Sequence, residues 1–164
     1  MKWKRILAEA ALLMIAAGFL GAGTNSLRPE SRKLAWILRL EAPPKDPGLL
    51  YLEISGDVAL RLHHAGALFI DARRSSIYEQ GHIEKAINIP VWEHDADQRV
   101  SALQARGLKP DAVIVVYCSG GKCEDAVRLS GKLALANFYN IYLYRDGFPV
   151  WQGKGWPIKR GKQP

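Results

Sequence analysis

Cysteine is nearly absent from this sequence: its 164 residues include two, Cys118 and Cys123, both in one short segment. Two thiols so close together cannot staple distant parts of a chain, which excludes a secreted disulfide framework. No histidine stands between them, and two thiols fall short of the four ligands of a structural zinc site, so no metal or other cofactor is expected. Internal repeats and low-complexity tracts are also missing, which excludes solenoids and disordered arrays. The formal charge of +7 invites a nucleic-acid partner, but residues 1–33 hold six Lys/Arg against two acids, leaving 17 bases and 14 acids beyond them. That remainder resembles an ordinary protein surface. It has no Lys/Arg cluster interleaved with aromatics to follow a phosphate backbone, and no nucleic-acid partner is expected.

The chain does have one long hydrophobic run. Met1-Lys2-Trp3-Lys4-Arg5 is a basic start, and Ile6 to Gly23 is apolar or small except for Glu9, without proline. The apolar positions cover every face, so a membrane-directed segment over 1–23 is expected in preference to a one-sided core helix. An uncleaved anchor is favoured over a cleavable signal because the run exceeds a signal core, although Gly21 and Gly23 give a small-x-small pattern. Basic residues ahead of the run place the following domain outside the cytoplasm, on the periplasmic side in a bacterium; a secreted periplasmic form is the alternative. Residues 24–48 read as a linker. Leu34 to Leu40 is too short to span and suits an interfacial segment, and the prolines at 43, 44 and 47 break regular structure. The domain proper is 49–164.

From Leu49 onward short apolar runs alternate with helical stretches. Strands are expected over 50–54, 67–71, 86–89, 112–117 and 141–144. Helices are expected after Ser55, running through Val58, Leu60 and Leu62 toward Gly66, then from Ser75 or Ser76 to Gln80, over 95–106 and over 123–136. Ala112 to Tyr117 is β-branched without alternation, as in a strand buried on both faces of a parallel sheet. The expected class is α/β, an open parallel sheet flanked by helices.

Cys118 follows that strand and precedes a helix, the position at which open α/β sheets hold their ligands. Ser119, Gly120, Gly121 and Lys122 let backbone N–H groups turn inward, and the helix start adds a positive dipole end. An anion is stabilised in such a cradle. Cys118 is therefore expected to be a nucleophile with a lowered thiol pKa, lowered further by Lys122. Asp71 and Arg73 read first as a charge pair fixing a turn, with Arg73 also a candidate for facing an anionic substrate. His82 is expected to bond backbone or Asp71, and His63 and His64 to be solvated. Trp92, Phe148, Trp151 and Trp156 read as core or rim.

At this point the sequence resembles the rhodanese family, over roughly 49–158. The resemblance rests on Phe69-Ile70-Asp71-Ala72-Arg73, on Gly81-His82-Ile83-Glu84-Lys85-Ala86-Ile87-Asn88-Ile89-Pro90, on Val115-Val116-Tyr117-Cys118, and on Gly147-Phe148-Pro149-Val150-Trp151 with Gly155-Trp156-Pro157. It implies a sulfurtransferase in which Cys118 takes sulfur from a small donor such as thiosulfate, holds it as a persulfide, and passes it to a thiol or cyanide-like acceptor. The family's six-residue active loop maps onto Cys118 to Cys123. Many members have Arg, Lys or Thr where this chain has Cys123, which puts efficient use of thiosulfate in doubt. The cysteine pair suggests instead that Cys123 attacks a Cys118 persulfide, a step that calls for a thioredoxin-like reductant; a merely structural Cys123 is the alternative. A non-catalytic binding module and a dithiol redox protein are the other readings of the chain.

Overall fold

The structure is a computed structural model and describes residues 50–163. The membrane-directed segment 1–23 and the linker 24–48 lie outside the described residues. Among those described, no helix is long and apolar enough to cross a membrane.

In chain order the elements are β1 (Leu52–Ile54), α1 (Gly56–His64), β2 (Leu68–Asp71), α2 (Ser75–Gln80), β3 (His82–Ile83), β4 (Ile87–Asn88), α3 (Ala96–Ala105), β5 (Ile114–Tyr117), α4 (Glu124–Leu135), β6 (Ile141–Tyr144), α5 (Gly147–Gly153) and β7 (Ile158–Lys159). Five strands form a parallel sheet in the order β1-β6-β5-β2-β4, and β3 pairs antiparallel with β7 in a separate ribbon. The expected α/β sheet flanked by helices is what the chain forms.

β5 is the middle strand, and all four of its residues are buried. Period-two geometry sends alternate side chains to opposite faces. Ile114 and Val116 join a cluster with Val100 and Leu103 of α3 and with Ala126, Leu129 and Leu133 of α4. On the other face Tyr117 meets Phe69, which in turn packs on Trp151 of α5. Leu129 and Leu133 recur one helical turn apart on the buried face of α4. Each contributes roughly 1.5–3 kcal/mol by leaving water, which is what holds that helix against the sheet.

His63 corrects the expectation of a solvated histidine. The buried residues of α1 are Ala59, Leu62 and His63, so the face turned inward is not the one read from Val58 and Leu60. The His63 ring lies edge-on to Phe69 and Trp151, at 5.4 and 5.3 Å, and its Nε2 donates to the Glu84 carbonyl at 2.8 Å. Burial lowers its pKa despite that bond. His64 is exposed, as expected. Two further differences concern the short elements. The expected strand 86–89 shrinks to Ile87–Asn88, while β3, α5 and β7 are additional elements. β3 owes its existence to β7, since two residues become a strand only when a distant partner supplies their ladder.

Candidate functional site

Cys118 sits at the carboxyl edge of the sheet because β5 ends one residue earlier. The chain then turns sharply: Gly120 and Gly121 have φ of +90° and +69°. Those left-handed angles are easily reached by glycine and costly for a side chain with a Cβ. The turn brings the Gly120 N–H to 3.3 Å from the Cys118 sulfur, to which it donates. Cys123 is also left-handed, at φ 51° and ψ 39°, and immediately precedes α4. Its sulfur joins that of Cys118 in a disulfide, with the Cα atoms 5.8 Å apart. Both cysteines are buried, whereas Ser119, Gly121 and Lys122 are exposed at the loop surface. The six residues named from the sequence thus form one contiguous loop, closed on itself by its first and last members. Among the described residues no group of three or more His, Cys, Asp or Glu is arranged to hold a metal ion.

The segment after β6 holds this loop in place. Phe148 N–H donates to the Cys118 carbonyl at 2.9 Å, and Arg145 donates from Nη1 to the Lys122 carbonyl at 2.9 Å. Arg145 is fixed in turn by Glu53 of β1, 2.8 Å from its Nε, which raises its pKa. Gly147 has φ +69° and so close an approach to the loop that a Cβ there would overlap the Cys118 carbonyl oxygen and stand 2.6 Å from the Gly120 nitrogen. Sequence reasoning missed Arg145, and it named Gly147 as part of the closing segment without connecting it to the loop. The available signal was the Asp146-Gly147 dipeptide directly after a strand, a turn signature.

Gly147→Ala is accordingly expected to destabilise the domain by about 1–3 kcal/mol, since backbone rather than a flexible side chain must yield. It is also expected to displace the Cys118 carbonyl. Urea unfolding and the rate of Cys118 alkylation in the reduced protein measure the two effects. Wild-type values for both would show that the contact is not tight.

Arg73 lies outside the loop. Its Nε donates to both Asp71 carboxylate oxygens at 2.9 and 3.0 Å, and its Nη2 donates to Asp71 and to the Gly81 carbonyl. The guanidinium also lies over the Phe148 ring at 4.5 Å. Burial pulls its pKa down, but the bonds and charge of Asp71 outweigh that and the net direction is up. These contacts agree with the first reading of the pair, in which Arg73 and Asp71 brace the turn after β2. The brace reaches the site through Tyr117, the residue before Cys118. Tyr117 is fully buried beside Arg73, accepts the Ile83 N–H at 3.1 Å, and has its pKa raised by burial and then by the Asp71 charge. His82 bonds backbone, as expected: its ring stacks on Tyr78 and its Nδ1 is 3.0 Å from the Tyr78 carbonyl. Of the aromatics, Trp151 and Phe148 are core. Trp92 is an exposed rim residue bonded to Asp125 at the start of α4 and covered by Arg128.

A parallel α/β sheet with a buried cysteine at the tip of its middle strand, opening a glycine-turned loop onto a helix, defines a class of α/β domains with a cysteine loop at the carboxyl edge of the sheet. Within that class the chain belongs to the rhodanese-like domain family, whose profile matches residues 55–154. The uncharacterized protein YibN of Escherichia coli K12 is 30% identical over 107 residues, 65% of this chain and 71% of YibN. The tRNA uridine(34) hydroxylase of Escherichia coli O1:K1 is 32% identical over 158 residues, 87% of this chain and 41% of that protein. Among solved structures, the rhodanese-like domain of the Alr3790 protein from Anabaena sp. superposes with a TM-score of 0.56 at 24% identity, covering 72% of this chain and 82% of that one. That last likeness concerns the fold alone.

Proposed function

We propose that the domain is a sulfurtransferase or sulfane-sulfur carrier in which Cys118 is the only residue bonded to the moving sulfur. The observation that carries this reading is the Gly120 N–H directed at the Cys118 sulfur from 3.3 Å, in a loop at the carboxyl edge of the middle strand. A fixed donor aimed at a sulfur favours the thiolate, and with it the persulfide anion that replaces it. In the reduced protein the thiolate attacks the sulfane sulfur of a donor such as thiosulfate. The sulfur–sulfur bond to sulfite breaks, sulfite leaves with the electron pair, and Cys118 keeps the outer sulfur. A thiol or cyanide-like nucleophile then removes it. Ser119, Gly120, Gly121 and Lys122 shape the mouth of this site, and no cofactor takes part.

The disulfide favours a second reading, a dithiol redox protein that exchanges electrons and carries no sulfur. One experiment separates the two. Reduced protein is incubated with thiosulfate or with glutathione persulfide, and its intact mass is followed. Gain of one sulfur atom, mapped to the Cys118 peptide and accompanied by sulfite when thiosulfate is the donor, is the expected first product. No sulfur gained and no sulfide or sulfite formed from either donor, together with loss of two hydrogens once a thioredoxin-type disulfide is added as the electron acceptor, would replace the carrier reading with the redox one. The reading extends to location: segment 1–23 tethers the domain outside the cytoplasm, where an oxidising compartment suits a protein with a disulfide in its active loop.

A further inference from the structure

We infer that Cys123 is a resolving thiol, so that the domain reduces sulfane sulfur and releases it as sulfide. This rests on the sulfur-carrier reading above and adds a second half-reaction to it. The starting observation is the pairing inside the loop. Cys118 and Cys123 are five residues apart, their Cα atoms are 5.8 Å apart, and their sulfurs are joined. That separation is ordinary for a disulfide, so the loop needs no rearrangement of its ends for one sulfur to reach the other. Cys123 takes up the left-handed conformation in doing so, with φ 51°, which is uncommon for a residue other than glycine, asparagine or aspartate. Both sulfurs are shielded, the residues being 3% and 6% exposed. Thiols in solution therefore approach a group on Cys118 less freely than Cys123, which is already beside it.

The chemistry follows from that neighbourhood. With an outer sulfur on Cys118, the Cys123 thiol gives its proton to solvent and its thiolate attacks the Cys118 Sγ. The bond between Sγ and the outer sulfur breaks, and the outer sulfur leaves with the electron pair, taking a proton to become hydrosulfide. The Cys118–Cys123 disulfide forms. Two cysteine sulfurs have lost two electrons, and the sulfane sulfur has gained them. An external dithiol of the thioredoxin type then reduces the disulfide and is itself oxidised to one. Starting from thiosulfate, the cycle consumes one dithiol and yields sulfite, hydrosulfide and one disulfide. The loop as it stands in the structure is the product of the resolving step.

The test loads reduced full-length protein with one equivalent of glutathione persulfide, without further thiol. Intact mass and free sulfide are followed in wild type, Cys123→Ser and Cys123→Ala. A neighbouring thiol acts at an effective concentration on the order of millimolar, so the persulfide is expected to last at least about tenfold longer in both variants than in wild type at micromolar protein. Wild type is expected to release one equivalent of sulfide as the disulfide mass appears, and a dithiol is expected to restore its capacity for a second load. Equal persulfide lifetimes in all three proteins, with no sulfide from wild type, would overturn the resolving role while leaving the carrier reading intact. Failure of the variants as well as wild type to gain a sulfur atom would overturn both. The paired substitutions guard against a folding defect specific to one of them.

Discussion

Cys118→Ser is expected to take up no sulfur from any donor, a complete loss and the largest functional effect of any single substitution in this chain. A serine hydroxyl stays protonated near neutrality and forms no persulfide analogue. The exchange of sulfur for oxygen nearly keeps the side-chain volume. The contacts that hold the loop, from Phe148 N–H to the residue 118 carbonyl and from Arg145 to the Lys122 carbonyl, use backbone acceptors that the substitution leaves in place. With reductant present, the variant should therefore match the wild type in stability to within about 0.5 kcal/mol. Without reductant it should fall short by roughly 2 kcal/mol, the chain-entropy contribution of a cross-link closing a very short loop. Donor-dependent mass gain and thermal unfolding with and without reductant check these points. Sulfur uptake by the serine variant would place the chemistry on another residue.

The largest effect on stability should come from Asp71→Ala, at about 3–5 kcal/mol, the usual result of leaving a buried charge without its partner. Arg73 is 5% exposed and its carboxylate partner wholly buried, so neither water nor another acid takes over the role. Asp71 also accepts the Arg73 backbone N–H at 2.9 Å, a bond that shapes the turn after β2. The double variant Asp71→Ala/Arg73→Met is expected to recover part of the loss, because the stranded guanidinium goes as well. Urea unfolding of the wild type and both variants measures this, with a shifted midpoint and an unchanged slope expected. A single variant within about 1 kcal/mol of wild type would show that the pair contributes little net stability.

What could be read in advance divides along physical lines. β5 and the strand Ile141 to Tyr144 were legible because an unbroken β-branched and aromatic run suits a strand covered on both sides. The placement of Cys118 was legible because strand, small-residue turn and helix follow each other without a gap, so local sequence alone puts the sulfur at the edge of the sheet. α1 shows the opposite case. Val58, Leu60 and Leu62 are its apolar residues of note in the sequence, yet of these only Leu62 is buried, and it shares the inner face with Ala59 and His63, because an aromatic pocket formed by Phe69 and Trp151 accepts an imidazole. That pocket is built from residues far apart in the chain and has no local signature. Arg73 illustrates the same limit: its pairing with Asp71 is local and readable, whereas its bond to the Gly81 carbonyl and its place over Phe148 exist only in the fold. β3 and β7 were illegible for the further reason that each is two residues long and exists only through the other.

The distances along the chain that the pairings span set the order in which this domain can assemble during synthesis. β1 pairs with β6 and β3 with β7, so an early strand of the sheet and an early strand of the ribbon each wait for residues beyond 140. Until Ile158 is available, Glu84 also lacks the Pro157 carbonyl that its N–H donates to. A nascent chain that has reached only Tyr117 can pair β2 with β4 and β5, but it exposes the open edge of β5 where β6 will later lie. Such an edge can pair with a foreign strand. The passage from Tyr117 to Tyr144, with α4 between, is thus the interval in which the growing domain is most exposed to misassembly, and it is also the stretch that carries both cysteines.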